Sequence, residues 1–107
     1  MELINLTPHA IDVMTVDGIV KTIPASGMVC RLTTSTELVD VIDGVRITKT
    51  VFGKPEGLPP EKEGTFYIVS QLVKNAIDPK YGADLLVPAE VLRDKDGKIL
   101  YCQSLGQ

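Results

Sequence analysis

The fold of this chain is decided by residues 64–76, Gly-Thr-Phe-Tyr-Ile-Val-Ser-Gln-Leu-Val-Lys-Asn-Ala, together with residues 84–88, Asp-Leu-Leu-Val-Pro. The run from Thr65 to Val69 is aromatic and β-branched and too short for a helix, so it predicts a strand buried on both faces within a sheet. Ser70 is a typical N-cap residue, and we expect a short helix after it that stops at Asp78-Pro79. The buried face of that helix would comprise Leu72, Val73, Ala76 and Ile77. Residues 84–88 predict another short strand, closed by its proline.

The length and composition describe one small β-rich domain that covers residues 1–107. The chain has 107 residues, of which 44% are hydrophobic and 23% are charged, and a second hydrophobic core would be too small to support itself. The formal net charge of −3 argues against a protein that mainly binds nucleic acid, because phosphate recognition usually needs a basic surface.

The cysteines and the N-terminus indicate a reducing compartment. Cys30 and Cys102 lie far apart within apolar runs, so we expect two buried thiols rather than a disulfide. One histidine and two widely spaced cysteines do not make a zinc signature, and we predict no metal and no cofactor. The N-terminus has no basic region followed by an apolar core, and no apolar run approaches membrane-spanning length, so we expect a cytoplasmic protein without a membrane partner.

Three Asp-Gly pairs predict hairpins along the chain. Asp17-Gly18 separates two apolar segments and predicts a two-residue type I′ turn, with Val16 opposite Ile19 and Met14 opposite Lys21. Residues 94–97, Asp-Lys-Asp-Gly, predict a later hairpin in which the glycine adopts a left-handed conformation.

The middle of the chain predicts two further strands around Asp43-Gly44. Val45, Ile47 and Val51 alternate with polar residues, which is typical of a strand with one buried and one solvated face. The polar run Thr33-Thr34-Ser35-Thr36 is expected to end the strand before it, and residues 53–64 are expected to form a long loop that Leu58 holds to the core.

Many short strands, three turn signals and one short helix define the predicted fold class. It is mainly β with one short helix, a β-rich α+β fold whose small and largely antiparallel sheet curls or closes into a barrel. Such a domain has exposed strand edges, which pairing between identical chains would protect, so a homo-oligomer is a further expectation.

Few residues offer catalytic chemistry. His9 is the only histidine, and no serine, cysteine or acid stands at a spacing that would make it part of a triad, so its expected roles are structural or in ligand contact. Asp84 and Asp94 would be the acids of a hydrolase, but nothing in their spacing brings them together, and Asp84 is typical of a residue that caps a turn or strand start.

Other side chains suit ligand contact. Arg31, Arg46 and Arg93 have guanidinium groups that bind phosphate or carboxylate through paired hydrogen bonds, although most surface arginines are simply solvated. The rings of Tyr67, Tyr81 and Tyr101 are suited either to stacking on a base or to packing in the core.

Several segments along nearly the whole chain carry a resemblance: Asn5-Leu6-Thr7-Pro8-His9-Ala10-Ile11, Tyr67-Ile68-Val69-Ser70, Asp84-Leu85-Leu86-Val87-Pro88, Arg93-Asp94 with Gly97, and Cys102 before Ser104-Leu105. In these segments the chain resembles a family of short proteins of bacteriophages and prophage regions. That family has no assigned activity, so the resemblance implies a setting, namely a small phage accessory protein made in the host bacterial cytoplasm. The predicted ligand-binding residues are Asn5, Thr7, His9, Tyr67, Ser70, Asp84 and Arg93.

Three functions follow as hypotheses. The first is a non-catalytic binding protein that counters host defence by sequestering a small nucleotide-type immune signal. The second is a protein–protein inhibitor, directed at a host defence protein, or a structural phage protein that uses a sheet edge or the 53–64 loop. The third is a small hydrolase, for which a nucleophile, a base and an orienting group are not all identifiable.

Overall fold

A computed structural model of the chain describes residues 2–60, 62–77 and 84–107, in which there are eight strands and one helix. In chain order these elements are β1 (Glu2–Asn5), β2 (Ile11–Met14), β3 (Val20–Ile23), β4 (Arg31–Ile42), β5 (Val45–Glu56), β6 (Thr65–Ile68), α1 (Gln71–Ala76), β7 (Leu85–Arg93) and β8 (Ile99–Gly106). The predicted stop of the helix at Asp78-Pro79 and the side chain of Tyr81 lie outside the described residues.

Six of these strands form one curled sheet in the order β1-β6-β7-β8-β2-β3, and β4 with β5 forms a separate ribbon. The sheet curls until its two edge strands, β1 and β3, approach each other, which gives a nearly closed, barrel-like body. Three pairings in the curled sheet are parallel (β1–β6, β6–β7 and β2–β8), and two are antiparallel (β7–β8 and β2–β3). The predicted fold class is therefore confirmed, and the body is a mixed sheet with antiparallel parts.

The core lies where the sequence places its densest apolar stretch. Ile68 and Val69 are fully buried, and β6 stands between two parallel neighbours, as expected for a strand covered on both faces. Buried side chains form two clusters, one around Val69 beneath α1 and the other around Ile68 on the opposite face of the sheet. Successive side chains of a strand point to opposite faces, so these two neighbours serve the two halves of the core.

A buried asparagine closes the curled sheet. The side-chain nitrogen of Asn5 donates to the carbonyl oxygen of Ile23 at 3.2 Å and to that of His9 at 2.8 Å. Its side-chain oxygen accepts from the backbone amide of Thr7 at 2.9 Å and from the Thr7 hydroxyl at 2.6 Å. Both amide donors and both oxygen lone pairs are thus used, in a residue that is only 1% exposed. The end of β1 is thereby tied to the end of β3.

The backbone on either side of Asn5 extends this closure. The carbonyl oxygen of Asn5 accepts from the amide and the hydroxyl of Ser26, at 3.2 and 2.7 Å. Leu6 bonds to Ile68 through its amide, and its carbonyl oxygen accepts from the amide of Cys30, each at 2.9 Å. The segment after β1 therefore joins β6, the end of β3 and the approach to β4.

Of the three Asp-Gly turns, only Asp43-Gly44 is a two-residue turn, the type that was predicted for Asp17-Gly18. Asp43 and Gly44 both have positive φ, 53° and 77°, as a type I′ turn requires. At Asp17-Gly18 the prediction is wrong by one residue, because Thr15 bonds Ile19 across a three-residue loop. Met14 consequently pairs with Val20 rather than with Lys21. The β7–β8 turn uses the same three-residue geometry, and Gly97 has the expected positive φ of 83°.

Two predicted interruptions are absent from the ribbon. Residues 33–36 lie within β4 rather than ending a strand, and residues 53–56 belong to β5 rather than to the following loop. Threonine is a good strand former, so a polar threonine run does not break a strand whose partner continues beside it. Leu58 does pack against the core as expected, after the strand ends.

Pro88 does not close its strand, because β7 continues to Arg93. The pairing between β6 and β7 extends only over Leu85 and Leu86, so no strand on that side needs a backbone donor at Pro88. Beyond it, Glu90 has a positive φ of 49°, and the register with β8 shifts between Leu92 and Arg93, which marks a bulge.

The helix begins as predicted but buries fewer residues. The Ser70 hydroxyl accepts from the amide of Val73 at 3.2 Å, which is an N-cap bond. Val73 and Ile77 are buried, whereas Leu72 is 58% exposed and Ala76 is exposed. The prediction for Leu72 and Ala76 is therefore wrong, because a helix this short turns only a narrow face to the sheet.

We predict that Asn5→Ala destabilises the protein by about 2–4 kcal/mol, because the amide of Thr7 and the carbonyl oxygen of Ile23 lose their bonds to this side chain and the carbonyl oxygen of His9 keeps only the Thr7 hydroxyl. The measurement is the free energy of unfolding in urea. Asn75→Ala is the matched control, since Asn75 has only an exposed bond to Gln71, and its effect should stay within about 0.5 kcal/mol. Equal effects of the two substitutions would contradict the closing role of Asn5.

Candidate functional site

Three of the predicted ligand-binding residues lie together, but their polar atoms are largely engaged in the fold. Asn5 uses all of its hydrogen-bonding capacity internally, and the Thr7 hydroxyl lies 2.6 Å from the Asn5 side-chain oxygen and 3.0 Å from the carbonyl oxygen of His9. The His9 side chain is exposed. Of the three, His9 alone has a side chain free of the closing network among the described residues.

Thr7 and Ser70 meet at a cleft beside the helix. This helix cleft has a volume of about 390 Å³ and lies between α1 and the first residues of β4. It is lined by Thr7, Pro8, Val29, Cys30, Arg31, Leu32, Ser70, Leu72 and Val73. Most of that lining is apolar and the Ser70 hydroxyl caps the helix, so the helix cleft suits an apolar group better than a polar ligand.

The other predicted residues are dispersed. Tyr67 is buried, and its hydroxyl donates to the carbonyl oxygen of Pro60 at 3.1 Å, which holds the loop after β5 to the core. Asp84 is half-buried immediately before β7, and Arg93 is exposed at the other end of that strand. The nine residues of β7 separate Asp84 from Asp94, so the structure does not pair these two acids.

A larger cleft lies on the body where β2, β8 and β7 adjoin. This barrel cleft has a volume of about 600 Å³. It is lined by His9, Ala10, Ile11, Asp12, Pro88, Val91, Lys98, Ile99, Leu100, Tyr101 and Cys102. Its volume falls within the ordinary range for small-ligand sites, about 300–1,000 Å³, and its lining combines apolar side chains with a few polar ones.

The polar groups of the barrel cleft have different chemistries. Lys98 offers an ammonium group, and Asp12 offers a carboxylate held in place by a hydrogen bond from the Thr22 hydroxyl. Tyr101 is half-buried and offers a flat ring and a hydroxyl, and His9 offers an imidazole. Among the described residues no hydrogen bond joins that imidazole to Asp12 or to another side chain. This set can bind an anion, a hydroxyl or amine donor and a ring.

The local structure explains how these residues meet. The Asp94 carboxylate accepts from the amides of Asp96 and Lys98, each at 2.9 Å, and shapes the β7–β8 turn. Arg93 donates to the carbonyl oxygen of Gly97 at 3.0 Å and braces the same turn. Lys98 therefore follows a turn that is held by hydrogen bonds and lies beside the barrel cleft. Arg93 supports this turn and lies next to the cleft.

Sequence reasoning missed Asp12 and Lys98 as site residues and considered Tyr101 suited either to stacking on a base or to packing in the core. The reason is the pairing of β2 with β8, whose partners Val13 and Cys102 are almost ninety positions apart in the chain. No local pattern indicates such a parallel contact. The one usable sequence signal for Lys98 was the pair Gly97-Lys98. A turn glycine precedes a strand, and the first side chains of that strand lie at the end of the sheet.

Both thiols are free and buried. Burial raises the pKa of the Cys30 thiol above its ordinary value of 9.0. Burial also raises the pKa of Cys102, and the negative charge of Asp12 raises it further. Cys102 lines the barrel cleft, but a thiol held protonated in this way is a weak nucleophile.

The described residues contain no cluster of three or more histidine, cysteine, aspartate or glutamate side chains arranged to hold a metal ion. Their single helix is far too short to cross a lipid bilayer.

Comparison with family models, with curated proteins and with solved structures found no match for this chain. The site is therefore interpreted from its own chemistry.

The thiols predict a pH dependence of stability. Because their pKa values are raised in the folded state, they contribute stability that is fully present below pH 9.0 and is lost as the pH rises through the folded-state values. The free energy of unfolding should therefore fall more steeply above pH 9.0 in the native protein than in the double variant Cys30→Ala, Cys102→Ala. The double variant keeps every other ionisable group of the protein, so the difference between the two curves isolates the thiols, and parallel curves would contradict the prediction.

Proposed function

We propose that this protein is a non-catalytic binding protein whose barrel cleft holds a small nucleotide-type ligand. The observation that carries the proposal is the meeting of an ammonium group, an anchored carboxylate and an aromatic ring over one apolar floor in the barrel cleft. Nucleotides carry the complementary groups, namely phosphate, hydroxyl or amine donors, and a flat base.

Each rim residue has a distinct part in the proposed complex. Lys98 would pair with phosphate, and His9 would add a donor at the same rim. Asp12 would accept from a ribose hydroxyl or an exocyclic amine, while Tyr101 would stack against the base. Ile11 and Val91 are half-buried and supply the apolar floor, and Leu100 is exposed beside them. A nucleotide bound in this way would displace water from most of the barrel cleft.

Binding without turnover is the simplest use of this arrangement. His9 has no hydrogen-bonded acid to act with it among the described residues, and Cys102 is held protonated by burial and by Asp12. The resemblance to short phage proteins supplies the setting, a phage accessory protein in the host bacterial cytoplasm. In that setting, holding a nucleotide-type immune signal would lower its free concentration and counter host defence.

A second candidate function is the inhibition of a partner protein. It is favoured by the ribbon of β4 and β5, whose apolar residues Leu38, Val39, Val41, Ile42 and Val45 are each more than half exposed. Exposed apolar surface of this extent on a small protein marks an interaction site. The ribbon and the barrel cleft are different surfaces, so the two functions do not exclude each other.

The proposal predicts that ADP-ribose and cyclic ADP-ribose bind to the purified protein and that Lys98→Gln weakens binding by about tenfold, because a charged hydrogen bond is lost. Tyr101→Ala should weaken it by a similar factor through lost stacking, about tenfold. The measurement is titration calorimetry. Lys95→Gln is the matched control, since Lys95 lies in the same turn but does not line the cleft.

The outcomes are separable. Recovery of the nucleotide unchanged after prolonged incubation would support binding without turnover, whereas a cleaved product would contradict it. No binding of a wider panel of cyclic and linear nucleotides would reject the ligand class. Binding that neither Lys98→Gln nor Tyr101→Ala weakens would place the ligand outside the barrel cleft.

A further inference from the structure

The ribbon formed by β4 and β5, called the arm below, projects from the body with nothing covering it. Each strand has twelve residues, which at about 3.3 Å per residue spans roughly 40 Å. Every residue from Thr33 to Thr50 is exposed. The radius of gyration is 16.8 Å, against about 13 Å for a compact chain of this length. The projecting arm accounts for the larger radius of gyration.

An uncovered arm of this length is not self-sufficient. A two-stranded ribbon alone is at best marginally stable in water. The only ion pair on the described part of the arm, Lys49 with Glu37 at 3.6 Å, is highly exposed and adds little. The arm therefore needs a partner surface to bury its apolar side chains.

The pattern of β5 identifies the face that needs cover. Val45, Ile47 and Val51 point to one face, which Ile42 of β4 shares, and Arg46, Thr48 and Thr50 point to the other face, which Leu38 and Val41 share. Val51 and Pro55, which share the first face, are half-buried against the body, whereas Val45 is 59% and Ile47 is 39% exposed. This face is thus the one that is half-buried at the base of the arm and exposed towards its tip. The sequence predicts its burial, and one chain alone does not provide it.

The charges along the arm select the partner. The arm has as many basic as acidic residues, so a copy of itself is not repelled. Its tip holds Asp40, Asp43 and Arg46 and is net negative, while its base holds Arg31, Lys54 and Glu56 and is net positive. Two arms aligned in opposite directions place each acidic tip at a basic base. Two arms aligned in the same direction would oppose like charges.

We propose that the arm is an interface with a second copy of this chain. The two arms pack antiparallel across a two-fold axis through the face of Val45, Ile47 and Val51, so that each tip reaches the base of the other arm. A two-fold contact of this kind uses the same patch on both chains and closes without forming fibres. The dimer covers Ile42, Val45 and Ile47 and leaves Leu38 and Val41 on the outer face of the arm.

The helix cleft then receives the tip of the partner's arm. It lies at the base of the arm, because α1 packs there, and it is largely apolar with Leu72 exposed at its edge. Ile42 and Val45 flank the tip turn and would enter this cleft, while Asp43 approaches Arg31. This contact would bury Leu72, an apolar helix residue that a single chain leaves exposed.

The first test measures the mass of the purified protein by light scattering after size-exclusion chromatography. We expect twice the 11.6 kDa mass of one chain, and Ile47→Asp should raise the dissociation constant at least about tenfold. Thr48→Asp, on the opposite face of the same strand, is the matched control and should remain dimeric. Circular dichroism checks that both variants are folded.

The second test uses charge reversal to determine how the arms are aligned. One variant carries Asp40→Lys with Asp43→Asn at the tip, and the other carries Arg31→Glu with Lys54→Glu at the base. Each should be monomeric alone, because its tip and base then have the same sign. Mixed together, they should form a heterodimer, because both tip–base contacts are attractive again.

Several results would overturn the proposal. A wild-type protein that stays monomeric at every concentration would leave the arm to a different protein. Dimers that survive Ile47→Asp, or that are lost equally in Thr48→Asp, would place the contact on another surface. Charge-reversed variants that fail to pair when mixed would reject the antiparallel alignment. None of these results depends on nucleotide binding, so they test the dimer independently of the function proposed for the barrel cleft.

Discussion

The hydrogen bonds of the Asn5 side chain are the constraint on which the rest of the structure depends. A curled sheet of six strands has two edges, and here the amide of one buried residue joins the end of β1 to the end of β3. An amide is suited to this position because it donates and accepts at once, whereas a carboxylate would offer only acceptors and would bury a charge. The same segment then binds β6 through Leu6 and the approach to β4 through Cys30.

This closure also positions both surfaces that carry the functional interpretation. His9, whose carbonyl oxygen accepts from Asn5, begins the stretch that lines the barrel cleft beside β8. Cys30, tied to Leu6, immediately precedes the arm. The cleft and the arm thus both adjoin the closing segment, and none of the residues that line the barrel cleft belongs to the arm.

The sequence predicted the features that depend on neighbours in the chain. The buried β6, the cap at Ser70 and the tight turn at Asp43-Gly44 follow from local propensity, and each is present. The parallel pairings were not predictable, because contacts such as Val13 with Cys102 join distant segments and leave no periodic trace. For the same reason, the predicted ligand-binding residues do not form one site. Asn5 holds the fold and Tyr67 anchors a loop, whereas Asp12 and Lys98, which were not predicted, line the barrel cleft. The alternation of β5 was informative in another way, since it indicates a buried face that a single chain leaves open.

Hydrogen exchange under native conditions tests the closing role of Asn5 most directly. The amides of Thr7, Ser26 and Cys30 bond to the Asn5 side chain, the Asn5 carbonyl oxygen and the Leu6 carbonyl oxygen, respectively. If this junction holds the sheet closed, these three amides should exchange only through global unfolding, with the same opening free energy as the core amides of β6. Exchange of the three through a low-energy local opening, while β6 stays protected, would show that the sheet holds its shape without the junction.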